Sequence, residues 1–323
     1  MTNMAARSTF LVTGCAGFIG SSTALALLRS GHHVRGVDRM SNYYDTRLKE
    51  KNLRALRQYP EFEFATSDLA DTDIGSLLDG VDYVMHFAAQ AGVRSSWGSE
   101  FEVYVRDNVL ATQRLFEAAT GARIKKVLYA SSSSVYGNAP DYPTTEQSPT
   151  RPVSPYGVTK LAGENLALLY QQNYGLPVVC LRYFTVYGPR QRPDMAFHRF
   201  IRAALTIVPI RVFGDGTQTR DFTYVEDIVT ANIVATASSD AAGIFNIGGG
   251  HRLALNEVLD TLSDVLGSHV EREIDPEQPG DVRDTSADTS SAFRAFGYEP
   301  RTSLEQGLRA EVDWVRELMR EGL

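Results

Sequence analysis

A tyrosine and a lysine four residues apart, Tyr156 and Lys160, have types and spacing that indicate chemistry. In a helix this spacing puts both side chains on one face. A tyrosine with its ordinary pKa of about 10 is a poor base at neutral pH, but a neighbouring lysine cation favours the phenolate and lowers that pKa. The pair therefore predicts a tyrosine general base, with a surface pair of no function as the alternative.

Four consecutive serines, Ser131 to Ser134, follow an apolar segment that predicts a buried strand. Binding residues gather at the carboxyl edge of parallel sheets, where such a strand ends. We therefore interpret the serines as part of a site, and a serine loop without function is the alternative.

Three glycines, Gly14, Gly17 and Gly20, connect an apolar strand-like segment to the start of a predicted helix. Glycine permits a positive φ and a close approach of backbone to ligand. The amino end of the helix offers unpaired N–H groups and the positive end of its dipole to a pyrophosphate. The glycines alone are also compatible with a simple tight turn, but the strand before and the helix after them favour dinucleotide binding.

Asp38 ends the second predicted strand, 18 residues after Gly20. A carboxylate there accepts hydrogen bonds from the adenosine ribose and repels a 2′-phosphate, which favours NAD over NADP. The following residue, Arg39, is able to accommodate that phosphate and weakens the preference. A turn or cap role is the alternative for Asp38.

Short apolar runs and amphipathic segments alternate through the first half of the chain. This alternation predicts a doubly wound parallel Rossmann sheet of the α/β class, because buried parallel strands need helical crossovers. The predicted strands are 10–13, 33–38, 62–67, 83–87, 127–131 and 178–183, and the predicted helices are 19–30, 47–57, 99–119 and 155–174.

After Tyr183 the pattern changes, with Pro189, Pro193 and Pro209 between shorter segments. We expect an NAD-binding domain over 1–185 and a smaller mixed α/β lobe over 186–323 that binds a nucleotide sugar. Residues 225–247 are expected to return to the first domain. The predicted lobe strands are 210–213, 221–224 and 244–247, and the predicted lobe helices are 225–236, 256–266 and 304–320.

Composition narrows the class of protein further. The 323 residues carry a net charge of −7, so a basic nucleic-acid-binding face is not expected. Two distant cysteines, Cys15 and Cys180, give no disulfide framework, and no apolar run is long enough to predict a membrane span. We therefore expect a cytoplasmic protein.

The motifs together resemble the extended short-chain dehydrogenase/reductase family, in particular its branch of nucleotide-sugar epimerases and dehydratases. The resemblance covers almost the whole chain, in segments 13–20, 37–45, 86–94, 131–137, 156–160, 181–189, 214–227 and 278–282. It implies that Ser132, Tyr156 and Lys160 are the catalytic residues, with NAD as cofactor. The implied cofactor-binding residues are Gly14, Gly17, Phe18, Ile19, Gly20, Asp38, Asn42, Asp68, Leu69, Phe87, Ala88, Ala89, Asn108, Tyr156, Lys160 and Tyr183.

Two observations bear on the reaction. Dehydratases of the branch carry Asp and Glu where this chain has Ser133 and Ser134, and neither hydroxyl replaces a carboxylic acid at neutral pH. The segment 190–196 resembles the Arg-Pro-Asp-Met-Ala segment of UDP-glucuronate 4-epimerases. A guanidinium such as that of Arg192 is suited to hold a sugar carboxylate bidentately, although an exposed loop arginine is the alternative.

The same resemblance implies the substrate-binding set. Arg220 is expected at the diphosphate, Phe213 against uracil, Asp281 at the uridine ribose, and Arg94 as a second cation. Thr185, Ala196 and Gln278 replace Asn, Asn and Arg of galactose epimerases. The complete expected set is Arg94, Ser132, Ser133, Ser134, Thr185, Arg192, Ala196, Phe197, Arg211, Phe213, Arg220, Gln278 and Asp281.

The resemblance implies a 4-epimerase that interconverts UDP-glucuronate and UDP-galacturonate, by transient oxidation at C4, rotation of a 4-keto intermediate and return of the hydride. No metal is expected, since the oxidised nicotinamide is the electron sink. The alternatives are a UDP-glucose or UDP-N-acetylhexosamine 4-epimerase, a UDP-glucuronate decarboxylase and a non-catalytic NAD-sensing protein. The family also implies a homodimer through helices 99–119 and 155–174.

Overall fold

The fold is built on a parallel sheet whose inner strands, such as Thr9–Thr13 and Val178–Tyr183, are almost completely buried, as their apolar and β-branched residues require. A computed structural model describes residues 7–276 and 280–323. The first half of the chain contains β1 (Thr9–Thr13), α1 (Phe18–Arg29), β2 (His33–Asp38), α2 (Thr46–Leu56), β3 (Phe62–Thr66), α3 (Ile74–Leu78), β4 (Tyr83–His86), α4 (Phe101–Tyr104), α5 (Ala111–Thr120), β5 (Lys126–Ser132), α6 (Pro155–Tyr174) and β6 (Val178–Tyr183).

The remaining elements form the lobe and two returns to the first domain. They are β7 (Val186–Tyr187), α7 (Ala196–Leu205), β8 (Ile210–Phe213), β9 (Thr219–Asp221), β10 (Thr223–Tyr224), α8 (Val225–Ala237), β11 (Gly243–Ile247), β12 (Arg252–Ala254), α9 (Leu255–Leu266), β13 (Arg272–Asp275), α10 (Ser290–Phe296) and α11 (Leu304–Arg320).

The main sheet has seven strands in the order β11-β6-β5-β4-β1-β2-β3. All its pairings are parallel, which confirms the predicted doubly wound α/β fold. The order reverses between β1 and β4, and ligands of such sheets bind in the crevice outside the carboxyl ends at that point. The Rossmann sheet thus positions the glycine turn after β1 and the serines after β5 at one edge.

The lobe is a mixed α/β structure. Strands β8 and β13 pair parallel, β9 and β12 pair antiparallel, and β7 and β10 pair parallel. Strand β11 joins the main sheet beside β6, and α8 packs on α1. The apolar core on one face of the sheet continues into the lobe, so the division after residue 185 stays a prediction.

Helix α6 carries the predicted Tyr–Lys pair, and its ends follow from the sequence. The hydroxyl of Ser154 accepts a hydrogen bond from the Gly157 N–H at 3.1 Å, Pro155 occupies the first turn, and Gly175 ends the helix at φ 68°. These signals are local, which explains why the bounds 155–174 were predictable.

The predicted continuous helix 99–119 is wrong in detail. A π-helical segment, Val105–Leu110, separates α4 from α5. Inside it, the amide of Asn108 donates to the Gln90 carbonyl at 3.0 Å and to the Thr159 hydroxyl at 2.9 Å. This widened turn buries a polar side chain against α6, a tertiary contact that the three-and-four periodicity did not reveal. Among the described residues, no helix is both long and apolar enough to span a membrane.

Candidate active site

The glycine turn between β1 and α1 is held by backbone contacts. The Gly14 N–H donates to the Val37 carbonyl at 2.7 Å, and Gly14 has φ 70°. A Cβ at Gly20 would lie 2.1 Å from the Gly14 carbonyl oxygen, so a side chain does not fit there. No side chain caps α1 at Gly17, which leaves the first N–H groups of the helix available to an anion. The turn therefore fits a dinucleotide pyrophosphate.

Asp38 lies at the end of β2 with its carboxylate buried beside this turn. It accepts hydrogen bonds from the Ala16 N–H at 3.2 Å and the Met40 N–H at 2.8 Å, and Lys49 Nζ lies 3.4 Å away. These contacts fix the carboxylate at the position where the adenosine ribose of a dinucleotide lies.

The charge of Arg39, which weakened the sequence preference for NAD, is neutralised by two carboxylates. Its Nη1 donates to Asp107 at 3.0 Å and lies 3.6 Å from Asp68. Burial raises the pKa of Asp107, although Arg39 opposes that rise. A guanidinium held in this way is poorly placed to take a 2′-phosphate, so the geometry favours NAD.

Most of the residues expected at the cofactor line one cleft. The expected residues that line it are Gly14, Gly17, Phe18, Ile19, Gly20, Asp38, Asp68, Leu69, Phe87, Ala88, Ala89, Tyr156, Lys160 and Tyr183. Asn42 and Asn108 are not among its lining residues, and Asn108 instead binds the backbone of Gln90, which does line the cleft. The sequence reasoning did not assign Tyr43, Tyr44, Lys49 and Gln90 to the site, although all except Lys49 lie in segments that carry the family resemblance.

Tyr156, Ser132 and Lys160 meet at the carboxyl end of β5. The hydroxyl of Ser132 is hydrogen-bonded to Tyr156 and accepts the Ser134 N–H at 3.1 Å. The ammonium of Lys160 donates to the Ala130 carbonyl at 2.9 Å. Side chains from β5 and α6 therefore meet here, and two of them, Tyr156 and Lys160, line the cleft.

The acidity of Tyr156 corrects one sequence expectation. Burial raises the pKa of its hydroxyl, while Arg192 and the hydrogen bond from Ser132 oppose that rise. We expected Lys160 to lower it, but the lysine is directed to the Ala130 carbonyl and its own pKa falls to about 8 by burial, with Glu164 opposing the fall. Among the described residues, Arg192 is the cation whose charge opposes the burial-induced rise in the pKa of Tyr156.

A buried ion pair lies directly behind this wall. Arg182 donates to both carboxylate oxygens of Glu164, at 2.8 and 2.7 Å, and Glu164 also accepts the Ser131 hydroxyl at 2.5 Å. Arg182 also donates a hydrogen bond to the Tyr136 hydroxyl at 2.8 Å. Sequence reasoning missed Glu164, although it lies one helical turn after Lys160, and this spacing is a signal that could have found it.

Arg192 lines the same cleft as Tyr156, and its role as a ligand of the sugar carboxylate stays a prediction. Its Nε and Nη2 donate to the two carboxylate oxygens of Asp194 at 3.0 and 2.9 Å. Burial lowers the pKa of Arg192, but Asp194 more than offsets this, so the guanidinium stays charged.

Residues expected at the nucleotide meet at the lobe. Arg94 donates to Asp281 at 2.6 Å, and its guanidinium lies 4.2 Å from the ring centre of Phe213. Arg220 donates to the Arg283 carbonyl at 2.6 Å and to the Val282 carbonyl, and burial lowers its pKa. The structure brings Arg94, Phe213 and Asp281 together from three distant parts of the chain.

The remaining expected residues differ in their positions. Phe197 packs in the lobe core against Tyr187 and Phe222 and is almost completely buried, and its assignment to the substrate stays a prediction. Arg211 is an exposed partner of Asp275 at 2.7 Å. Ala196 begins α7, and Thr185 accepts the Thr223 N–H through its carbonyl. Gln278 lies outside the described residues.

Comparisons with known proteins agree with this geometry. Residues 10–248 match the model of the NAD dependent epimerase/dehydratase family. A Bacillus subtilis protein named an uncharacterized UDP-glucose epimerase, YtcB, is 43% identical over 95% of this chain and 98% of its own length. A UDP-glucuronate 4-epimerase of Thermodesulfobacterium geofontis is 39% identical over 95% of this chain and 96% of its own.

A solved structure is similarly close. The crystal structure of a Bacillus cereus UDP-glucuronic acid 4-epimerase, in complex with UDP-glucuronic acid and NAD, is 42% identical with a TM-score of 0.93. The match covers 96% of this chain and 99% of that one.

The fold and the Ser-Tyr-Lys arrangement define an enzyme of the short-chain dehydrogenase/reductase type that uses NAD. Within that class, the chain belongs to the NAD-dependent epimerase/dehydratase family, because the family model and close relatives span most of its length.

Proposed function

We propose that this enzyme is a 4-epimerase that interconverts UDP-glucuronate and UDP-galacturonate. The observation that carries the proposal is a guanidinium, that of Arg192, in the same cleft as Tyr156. A guanidinium group beside the general base is suited to bind a sugar that carries a carboxylate. The names of the Thermodesulfobacterium and Bacillus cereus relatives support this choice.

Bound NAD would supply the acceptor and donor of the hydride at C4 of the sugar. As the phenolate, Tyr156 removes the proton from the C4 hydroxyl and later returns it to the oxygen, and Ser132 holds the tyrosine oxygen by a hydrogen bond. Lys160 lies one turn further along the helix, where we assign it to the ribose of the nicotinamide. The residues expected at the cofactor hold NAD along the cleft, with Asp38 at the adenosine ribose.

The carboxylate of the sugar makes a side reaction, decarboxylation, possible. A 4-keto uronic acid is a β-keto acid, and it loses CO₂ when its carboxylate bond aligns with the carbonyl π-system. Bidentate anchoring by Arg192, with the small Ser133 and Ser134 directly after Ser132, holds the carboxylate in a dihedral angle that disfavours this loss.

We assign the rest of the substrate to the lobe. Arg220 binds the diphosphate, Phe213 stacks on uracil, and Asp281 accepts the uridine ribose hydroxyls. Arg94 must leave the face of Phe213 if the base stacks on that side, because its guanidinium is 4.2 Å from the ring centre.

A UDP-glucose 4-epimerase is the second candidate, because the name of the Bacillus subtilis relative points to UDP-glucose. Purified enzyme is incubated with UDP-glucuronate and, separately, UDP-glucose, with and without added NAD, and the products are identified. UDP-galacturonate from the first supports the proposal. UDP-galactose alone favours the second candidate, a UDP-pentose indicates a decarboxylase, and no turnover of either contradicts epimerisation.

We also propose a homodimer and a cytoplasmic location. The segments 99–119 and 155–174 expose apolar side chains, for example Val105 at 40%, Val158 at 49% and Leu169 at 54%. A second copy of the chain would cover these exposed apolar side chains. Light scattering that gives the mass of one chain would contradict the dimer.

The proposed cytoplasmic location is supported by the cysteines. Cys15 and Cys180 are both buried free thiols, which fits a reducing compartment.

A further inference from the structure

The Arg192 guanidinium is held by a carboxylate only two residues away. Nε and Nη2 donate to Asp194 in a parallel pair, and among the described residues these are the hydrogen bonds that the guanidinium makes. Arg192 lines the cleft, whereas Asp194 does not. The carboxylate therefore occupies the Nε–Nη2 edge of the guanidinium, and among the described residues no hydrogen bond is made by Nη1.

The backbone that carries this pair is fixed independently of it. The Gly188 N–H donates to the buried carboxyl group of Glu311 at 2.8 Å. The amide of Gln191 donates to the Val186 carbonyl at 3.1 Å and accepts the His198 N–H at 2.9 Å. With the main chain held on both sides, the remaining freedom is the long Arg192 side chain, which loses several rotamers when it is ordered.

We propose that Asp194 is a positioning residue that determines specificity for a carboxylate-bearing sugar, by holding the Nε–Nη2 edge of Arg192 so that the other edge faces the substrate. This inference rests on the proposed function, because it assumes that Arg192 binds the sugar carboxylate. A preorganised guanidinium binds a carboxylate at a lower entropic cost than a mobile one. Asp194 acts through Arg192 and does not touch the reacting atoms.

The test compares a charged and a neutral substrate. In Asp194→Ala, with NAD present, we expect Kd and KM for UDP-glucuronate to rise about tenfold, as for a lost orienting contact. The Kd for UDP-glucose, which has no carboxylate, is expected to stay within about twofold, and kcat to change little. Asp194→Asn keeps an acceptor for one N–H, so we expect an intermediate effect.

Asp45 offers a matched control. It pairs with Arg47 two residues later, through Nε at 2.9 Å and Nη2 at 2.6 Å, but on the exposed end of α2 and outside the cleft lining. Asp45→Asn should leave both affinities unchanged.

Calorimetric Kd values for both sugars, beside melting temperatures of each variant, separate the outcomes. Equal losses for both sugars, no loss, or tighter binding of UDP-glucuronate would overturn the role of Asp194. If the unaltered enzyme binds and converts UDP-glucose but not UDP-glucuronate, the proposed function itself fails.

Discussion

The cofactor half and the sugar lobe place their functional groups by different physical means. Around the glycine turn, backbone contacts of about 3 Å and steric exclusion leave almost no freedom, as at Gly20. In the lobe, long arginine side chains are oriented by carboxylates and carbonyls, such as Arg192 by Asp194. The first arrangement suits a cofactor common to a family, and the second suits substrates that differ between its members.

Replacing Tyr156 by Phe tests the fixed half most severely. We expect kcat to fall by about 10³-fold or more, since the general base is lost while the ring still fills its place. Product formation from UDP-glucuronate is measured beside NAD content and melting temperature, which should not change. Tyr174→Phe, an exposed tyrosine of the same helix, is the control. Full turnover by Tyr156→Phe would remove the tyrosine from catalysis.

Replacing Arg192 by Ala tests the adjustable half. We expect KM for UDP-glucuronate to rise about 10- to 100-fold, the equivalent of roughly 1.5–3 kcal/mol for a hydrogen bond to a charged group. The freed carboxylate should also give more UDP-pentose, detected by chromatography of the products. Arg47→Ala, which removes an exposed arginine outside the cleft, is the control. Unchanged kinetics without added pentose would refute the assignment.

Replacing Gly20 by Ala asks how rigid the cofactor turn is. The new Cβ would meet the Gly14 carbonyl oxygen at 2.1 Å, so α1 must shift from β1. We expect NAD affinity to fall about 5- to 100-fold, from the roughly 1–3 kcal/mol cost of overpacking. Gly121→Ala is the control, because its Cβ would lie 3.7 Å from the nearest atom, the Ala118 carbonyl oxygen. Equal NAD affinities of the two variants, measured by titration, would show that the turn adjusts to the added methyl group.

The smallest expected effect is a shift in the pH dependence of kcat/KM when Glu164 is replaced, because Glu164 influences the pKa of Lys160. Burial lowers the pKa of Lys160 to about 8 and Glu164 opposes this, so the lysine is protonated below pH 8 and loses its charge above it. In Glu164→Gln the opposing charge is gone, the pKa of Lys160 falls further, and the alkaline limb of kcat/KM should move to lower pH by about one unit.

The Glu164 variant needs its own controls, because Arg182 remains buried without a carboxylate. Loss of one partner of a buried ion pair destabilises by about 3–5 kcal/mol, so the pH profile is recorded below the melting transition. Glu102→Gln, an exposed acid on α4, should leave the profile unchanged. A limb that stays in place in folded Glu164→Gln would show that Glu164 acts on packing alone.

Some of the site was predictable because its signals are local. Gly14, Gly17 and Gly20 lie within one strand–turn–helix unit, and Tyr156 and Lys160 lie on one helix face. Lys160 to Glu164 repeats the same spacing and was missed because an acid on a helix is usually a solvated surface residue. Asn108 was expected at the cofactor, but its amide is used within the fold by Gln90 and Thr159.

The sequence by itself determined the α/β class, the parallel sheet, the glycine turn and the Tyr–Lys pair, since each depends on periodicity or on spacing within a single element. Only the tertiary structure decided which charges meet. Arg94 and Asp281 are 187 residues apart, and Arg182 reaches both Glu164 and Tyr136. Such pairings depend on how separate elements pack, and packing also decided that burial raises the pKa of Tyr156 while Arg192 opposes the rise.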